Sequence, residues 1–393
     1  MSEGDPEPVI ARIADGVCSF KASEWDACAG SGNPFINHGF LSILEESGSV
    51  SAQTGWQPVP LAIDAPDGSL AAVTPAYVKA HSQGEYVFDH AWADAWERAG
   101  GRYYPKLQVA VPFTPVPGRR LLARDTAYLP ALIAALEAVT LNNRFSSAHA
   151  TFIAQDEVPV FERAGWLIRE GSQFHWANDG YACFDDFLAA LSSRKRKAIR
   201  KERARAVEGL AIEHIGGSDL TEAHWDIFWD FYQDTGQRKW GRPYLTREFF
   251  SLLGERMADR TLLILARRDG EPIAGALNLI GEDALYGRYW GCNTDISFLH
   301  FELCYYQAIE VAIERGLARV EAGAQGEHKL ARGYAPVPTW SAHFLPDAGF
   351  RRAVADYLEA ERAAVDREIE FLRELGPFRK GRRDRLPRPA LPS

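Results

Sequence analysis

GRYWGCNTDISFLHFELCYYQAIEVAIERGLARVEAGAQGEHKLARGYAP, residues Gly287 to Pro336, reads as strand, apolar helix, strand and polar loop. The helix is expected from about Phe298 to Arg315. Gly316 can end it, because glycine tolerates the left-handed conformation of a C-terminal cap. A short strand, Ala318 to Ala322, leads into Gly323-Ala-Gln-Gly-Glu-His-Lys329. Loops held by a rigid sheet carry a disproportionate share of functional residues. His300, Glu302, Tyr305, Tyr306, Glu321, Gln325, Glu327, His328, Lys329 and Arg332 are therefore expected to converge on one cleft. No other part of the chain offers such a density of donors, acceptors and titratable groups.

Working outward, the preceding segment has the order strand, Asp-Gly turn, strand, strand. LLILARRDGEPIAGALNLI is the hairpin, and Leu285 to Trp290 is the next strand. An earlier segment, VPLAIDAPDGSLAAVTPAYV, repeats that pattern with Pro66-Asp67-Gly68 at its turn. It too is followed by strand, helix and strand, so the chain reads as a duplication of pattern rather than of residues. Between the repeats lies Ser192 to Arg205, a helix-forming run with eight cations and one acid. Its bland reading is a solvated linker face. Its functional reading is a concentrated field for an anionic ligand in an otherwise acidic protein. Arg196, Arg200 and Arg203 are expected to share one stripe, since residues three or four apart lie on one helix face.

The chain has 393 residues and a net charge of −9, with 46% apolar and 25% charged residues. That is the profile of a globular protein of two or three domains. It excludes wholesale coating of DNA. The five cysteines are scattered without ligand spacing, which points to neither a metal site nor a disulfide framework. The amino terminus carries no secretory hydrophobic region, and no apolar run approaches the roughly 18 residues of a membrane span. A reducing cytoplasm is the expected compartment.

The stretches NPFINHGFL (33–41), GYACFDDFLAALSSRKRKAIRKER (180–203), GRYWG (287–291), LHFELCYY (299–306) and GAQGEHKLARGY (323–334) resemble a bacterial group of N-acyltransferases. That group is related to the Fem aminoacyl transferases of peptidoglycan synthesis. The resemblance runs from about Asn33 to about Phe344. It implies an α/β protein of two tandem GNAT-like acyltransferase domains, with the acceptor bound where they meet. The expected limits are 9–176 for the first domain, 177–209 for the basic linker helix, 210–349 for the second domain and 350–393 for a C-terminal helix and basic tail. In Fem enzymes a lysine followed by a Phe-Gly-like motif lies near the end of the second domain. Lys329, with Arg332-Gly333-Tyr334 after it, is the loose match. The helical arm that Fem enzymes insert has no counterpart here.

The implied reaction is transfer of an acyl or aminoacyl group to a primary amine on a small-molecule or peptide acceptor. The donor is an acyl-CoA or an aminoacyl-tRNA, and no tightly bound cofactor is expected. GNAT enzymes hold pyrophosphate on a Gly-rich loop at a helix N-terminus. The loop in that position, Gly291 to Phe298, lacks the pattern and carries Asp295. N-acyl transfer needs a proton acceptor for the amine and a stabilised oxyanion. Glu327, His328 or Glu302 can take the proton. Lys329 or a backbone N–H near Gln325 can face the oxyanion. Arg288, His300, Gln325, Arg332, Arg196 and Arg200 are the candidate substrate contacts, and Lys329 is expected to be an exposed side chain pointing into the cleft. The alternative is a non-catalytic module that binds a cell-wall fragment or an anionic carrier.

Overall fold

A computed structural model describes residues 10–239, 243–323 and 326–379. The expected order of elements is present, and it builds a mixed α/β fold of two GNAT-like halves with a C-terminal helix, Ala348–Glu374. The second half supplies β10 (Ala211–Gly216), β11 (Thr261–Arg268), β12 (Glu271–Ile280), β13 (Ala284–Cys292) and β14 (Arg319–Glu321). The first supplies β2 (Trp56–Pro58), β5 (Ala76–Lys79), β6 (Lys106–Val109) and β8 (Ala148–Ile153). In each half antiparallel strands end in one parallel pair, β13 with β14 and β6 with β8.

The halves are not separable along the chain. One sheet of 11 strands runs through both, in the order β10-β11-β12-β13-β14-β9-β15-β8-β6-β5-β2. β9 (Leu167–Ala177) closes the first half in chain order but pairs with β14 of the second. β15 (Ala335–Phe344) closes the second but pairs with β8 of the first. The two exchanged strands also pair with each other, from Ala335 opposite His175 to His343 opposite Leu167. The limits 9–176 and 210–349 follow chain order, whereas the sheet divides between β9 and β15. Each half would lack its last strand without the other.

The first hairpin departs from the expected repeat. Leu70 to Lys79 is not one returning strand: Pro75, which has no N–H to give a ladder, separates β4 (Leu70–Thr74) from β5. β4 joins a small sheet with β1 (Ala11–Ile13), β3 (Leu61–Asp64) and β7 (Leu122–Ala123). This small sheet and the N-terminal helices share a core with the second half, where Phe35 meets Tyr286 edge-on at 5.1 Å. The C-terminal helix buries Val354, Leu358, Ile369 and Leu372 and packs on β9 and β15. The basic tail beyond Arg379 and the segment before Ile10 lie outside the described residues.

The helix after β13 forms as the sequence predicts, with one irregularity. It is α-helical over Leu299–Phe301 and Gln307–Glu314, and between them Glu302–Tyr306 form a π-turn. Its end is a Schellman cap: Gly316 has φ 65°, its N–H donates to Ile313 O, and Leu317 N–H donates to Ala312 O.

Because β9 and β15 are exchanged, the halves are expected to unfold together. Urea unfolding followed by fluorescence of the 11 tryptophans and by circular dichroism should give one coincident transition. Two separated transitions would show that each half is stable without the other's strand.

Candidate functional site

The site is a split in the sheet. β13 pairs with β14 only from Ala284 opposite Arg319 to Tyr286 opposite Glu321, then runs on to Cys292 while β14 ends. Against β12, Leu277 faces Tyr289 and Asn278 faces Gly287. Arg288 is thus the extra residue of a β-bulge, a device that re-aims a side chain and often sits beside active sites. The π-turn packs across the opening, and single π-turns within α-helices are frequent at functional sites. Between them lies a cavity of about 80 Å³ lined by Asn278, Arg288, Tyr289, Trp290, His300, Cys304 and Tyr305, among others.

Several polar atoms here are buried without a hydrogen-bond partner: Arg288 Nε, Tyr289 Oη, Asn278 Oδ1 and Glu321 Oε2. Buried polar groups are normally satisfied, and leaving one unpaired costs about 1–3 kcal/mol. The Arg288 guanidinium lies over the rings of Phe35 at 5.2 Å and Tyr286 at 5.7 Å. Burial pushes its pKa down, and attraction to Glu321 opposes that shift.

Lys329 sits in the 3-10 turn Glu327–Arg332 that follows β14. It is not the exposed side chain expected from the sequence: only 1% of it is accessible. Its Nζ donates to Gly323 O at 2.7 Å. No carboxylate pairs with Lys329 or Arg288 among the described residues. Burial, then repulsion from Arg288, brings the Lys329 amine down to about 7, with Cys304 acting in the opposite sense. An amine with that value is partly neutral near neutral pH and can accept a proton.

The other expected residues divide. His300 joins the split and lies edge-on to Trp290 at 5.2 Å. His328 is exposed, and its Nε2 is 2.8 Å from Tyr305 Oη. Arg332 is committed, donating to His328 O at 2.7 Å and to Glu202 at 2.9 Å. Glu302 does not serve the split. It is fully buried, accepts from Arg203 and Gln307, and lines a separate groove of about 660 Å³ beside the basic helix. The π-turn puts Glu302 and Cys304 in different cavities. Gln325 lies outside the described residues, as does the Glu327 side chain.

The basic helix forms at Ser193–Ala206, but its expected stripe is broken. Arg203 is held by Glu302 and Glu310, each at 2.7 Å, and Arg200 pairs with Asp185 at 2.8 Å. Arg196 is half-buried. Besides Arg200, the exposed cations are Arg194, Lys197, Lys201 and Arg205, which follow one another at helical spacing on a different face. Sequence reading also missed Asn278, Tyr289 and Cys304 in the cavity wall. Their alternation with buried neighbours on strand and helix gave no signal of a bulge or π-turn.

The corresponding split of the first half is filled. After Val109 the chain leaves β8 and returns at Gly118, which bridges to Ile153. The fully buried Arg120 guanidinium occupies that space and donates to Val116 O, Gly118 O and Thr151 O.

Two GNAT-like halves in one sheet, with an open split in the second, place the chain in the GNAT-like fold class. Within that class it belongs to the FemAB-like family, described as peptidoglycan biosynthesis/recognition, whose model matches residues 16–380. No curated protein matches it by sequence. Among solved structures, FemX aligns with a TM-score of 0.53 at 12% identity, covering 86% of this chain and 98% of that one. L-PGS from Bacillus licheniformis aligns at 0.50 with 11% identity, covering 81% and 94%. A conserved Bacteroides thetaiotaomicron protein of unknown function aligns at 0.51 with 11% identity, covering 85% and 100%. At these identities the likeness is one of fold. Among the described residues no helix is long and apolar enough to cross a membrane.

A buried amine without a counter-charge lowers stability. An unfolded lysine holds its proton up to about 10.5 and the folded Lys329 releases it at about 7. The penalty is therefore full below about 7 and fades as pH rises towards 10.5. Lys329→Met should raise stability by about 0.5–2 kcal/mol at pH 6, with a smaller gain at pH 9.5, measured by thermal unfolding. A variant less stable than the parent at pH 6 would show that Lys329 is a satisfied structural residue.

Proposed function

We propose that this protein transfers an acyl or aminoacyl group to a primary amine of a peptidoglycan-related acceptor, at the split between β13 and β14. The observation that carries this reading is a pair of cations with no carboxylate partner among the described residues: Arg288, half-buried in the cavity wall with its Nε enclosed, and Lys329, buried in the turn after β14 and near enough to Arg288 to be repelled by it. A site that keeps uncompensated positive charge is arranged for charge that appears during a reaction. Lys329, neutral in part near pH 7, takes the proton from the attacking amine. Once protonated, it and Arg288 face the oxyanion as the acyl carbon becomes tetrahedral; collapse of that species breaks the bond to the carrier, and the departing thiolate or ribose oxygen takes the proton back from Lys329. Asn278 Oδ1 and Tyr289 Oη, both unpartnered, are placed to orient the amide being formed. This differs from the sequence-based expectation that Glu327, His328 or Glu302 takes the proton; of these, the Glu302 carboxylate is occupied by Arg203 and Gln307.

The donor is a carrier-bound acyl group, an acyl-CoA or an aminoacyl-tRNA. The exposed cations Arg194, Lys197, Lys201 and Arg205 offer its phosphates a field that the loop Gly291 to Phe298 does not. FemAB-like membership supports a peptidoglycan precursor or fragment as acceptor, and a cytoplasmic location fits that chemistry.

The test is a mass-shift screen of muropeptide amines against acyl-CoA and aminoacyl-tRNA donors. One pair should gain the acyl mass, and Lys329→Met should slow that transfer by about 10²–10⁴-fold. kcat/KM should rise with pH through a midpoint of about 7, because the reactive form is the neutral amine. Tight binding of a muropeptide with no mass gain from any donor would favour a recognition module instead. A rate that falls as pH rises through 7 would exclude Lys329 as the proton acceptor.

A further inference from the structure

Lys329 lies in a turn bounded by two glycines. The turn begins after Gly326, at φ 125°, and no side chain caps it there. It ends at Gly333, at φ 90°. Both are conformations that glycine adopts without the Cβ penalty of other residues. Backbone bonds close the turn on itself, with Lys329 N–H donating to Gly326 O and Tyr334 N–H to Lys329 O, and side chains tie it to the neighbouring helices.

Those side chains converge on one carboxylate. Glu202, on the basic helix, accepts from Tyr306 Oη at 2.6 Å and from Arg332 Nη2 at 2.9 Å. Arg332 Nη1 donates to His328 O at 2.7 Å, on the peptide that joins His328 to Lys329. The Arg332 guanidinium lies 3.4 Å from the centre of the Phe301 ring, and His328 meets Tyr305 at 2.8 Å. Residues on both sides of Lys329 are thus tied to the π-bulged helix. The basic helix is itself fastened by Arg203 to Glu302 and Glu310 and by buried Ile199 and Ala206. Glu202 is the single acid among the eight cations of its segment, and like Arg203 it faces inward, where Arg194, Lys197, Arg200, Lys201 and Arg205 are exposed. Arg332 is 8% exposed and Glu202 21% at the side chain, so the pair is largely screened from water and its loss would leave a buried guanidinium unpaired.

We infer that Glu202 is a positioning residue for the proposed transfer site: through Arg332 and Tyr306 it sets where the Lys329 turn lies against the split. The inference rests on the transferase reading for its kinetic consequence, but not for its structural one. An amine displaced by about 1 Å can cost 10²-fold in rate while substrate binding by the cavity wall is retained.

The experiment is hydrogen–deuterium exchange by mass spectrometry on the full chain with Glu202→Ala, Glu202→Gln and Tyr306→Phe. In Glu202→Ala, amides of residues 326–334 should exchange at least tenfold faster, while those of 193–206 and of β11 to β13 stay unchanged. Glu202→Gln keeps an acceptor oxygen, and Tyr306→Phe removes one of the two donors, so both should fall between parent and alanine variant. If Glu202→Ala does not fold, these two decide the outcome. In the transfer assay, Glu202→Ala should lose about 10²-fold in kcat with KM within about threefold, and Glu202→Gln should recover part of that loss. Unchanged exchange at 326–334 overturns the inference, and so does acceleration spread over the whole chain, which would mark Glu202 as a general stabiliser. Because exchange needs no substrate, failure of the transferase reading leaves this result separately readable.

Discussion

Two cations that repel each other and have no carboxylate partner among the described residues, Lys329 buried and Arg288 half-buried with its Nε enclosed, are the constraint on which this structure turns. Moving a charged amine out of water costs several kcal/mol unless a counter-charge compensates it. Lys329 meets that cost by a lower proton affinity and one backbone carbonyl. Arg288 meets it by aromatic faces and distant attraction to Glu321. Neither solution is the cheapest available to a folded chain. A sheet whose strands part after three residue pairs, a bulge that turns Arg288 inward and a π-turn across the opening together maintain the arrangement.

The first half carries the same architecture with its split filled. Its own split is closed by residues 110–121, and the buried Arg120 there is satisfied by four backbone carbonyls. Glu157, raised by burial to about 7, fixes the backbone beside it by accepting from the N–H groups of Arg120, Leu121 and Ala154. The split is thus closed in one half and open in the other. The exchanged strands β9 and β15 tie the two together, so the open half is braced by the closed one.

Much of this was legible in the sequence. The Asp-Gly hairpin, the GRYWG strand, the helix ending at Gly316 and the polar loop before Lys329 follow from local pattern and turn chemistry, and the tandem fold follows from their repetition. The features that position the chemistry were not legible. A bulge at Arg288 and a π-turn at Glu302–Tyr306 each shift the register by one residue, and such a shift decides which cavity a side chain enters. That is why Glu302 was assigned to the cleft and sits instead against Arg203. The stripe Arg196, Arg200 and Arg203 failed for a related reason. Helical spacing gives the face a residue shares, but only tertiary contacts say that Asp185, Glu302 and Glu310 occupy two of those arginines. Strand exchange leaves no local trace at all, since β9 and β15 look alike whichever half they complete.

The most direct measurement of the central claim is the titration of Lys329 itself. Competitive labelling with a trace amine-reactive reagent across pH, read by peptide mass spectrometry with Lys329→Met locating the signal, reports the proton affinity of that one amine without any substrate. The structure predicts a midpoint of about 7. A midpoint near 10.4, the ordinary lysine value, would mean that the amine is solvated or paired, and would contradict the account of the split as a site holding uncompensated charge.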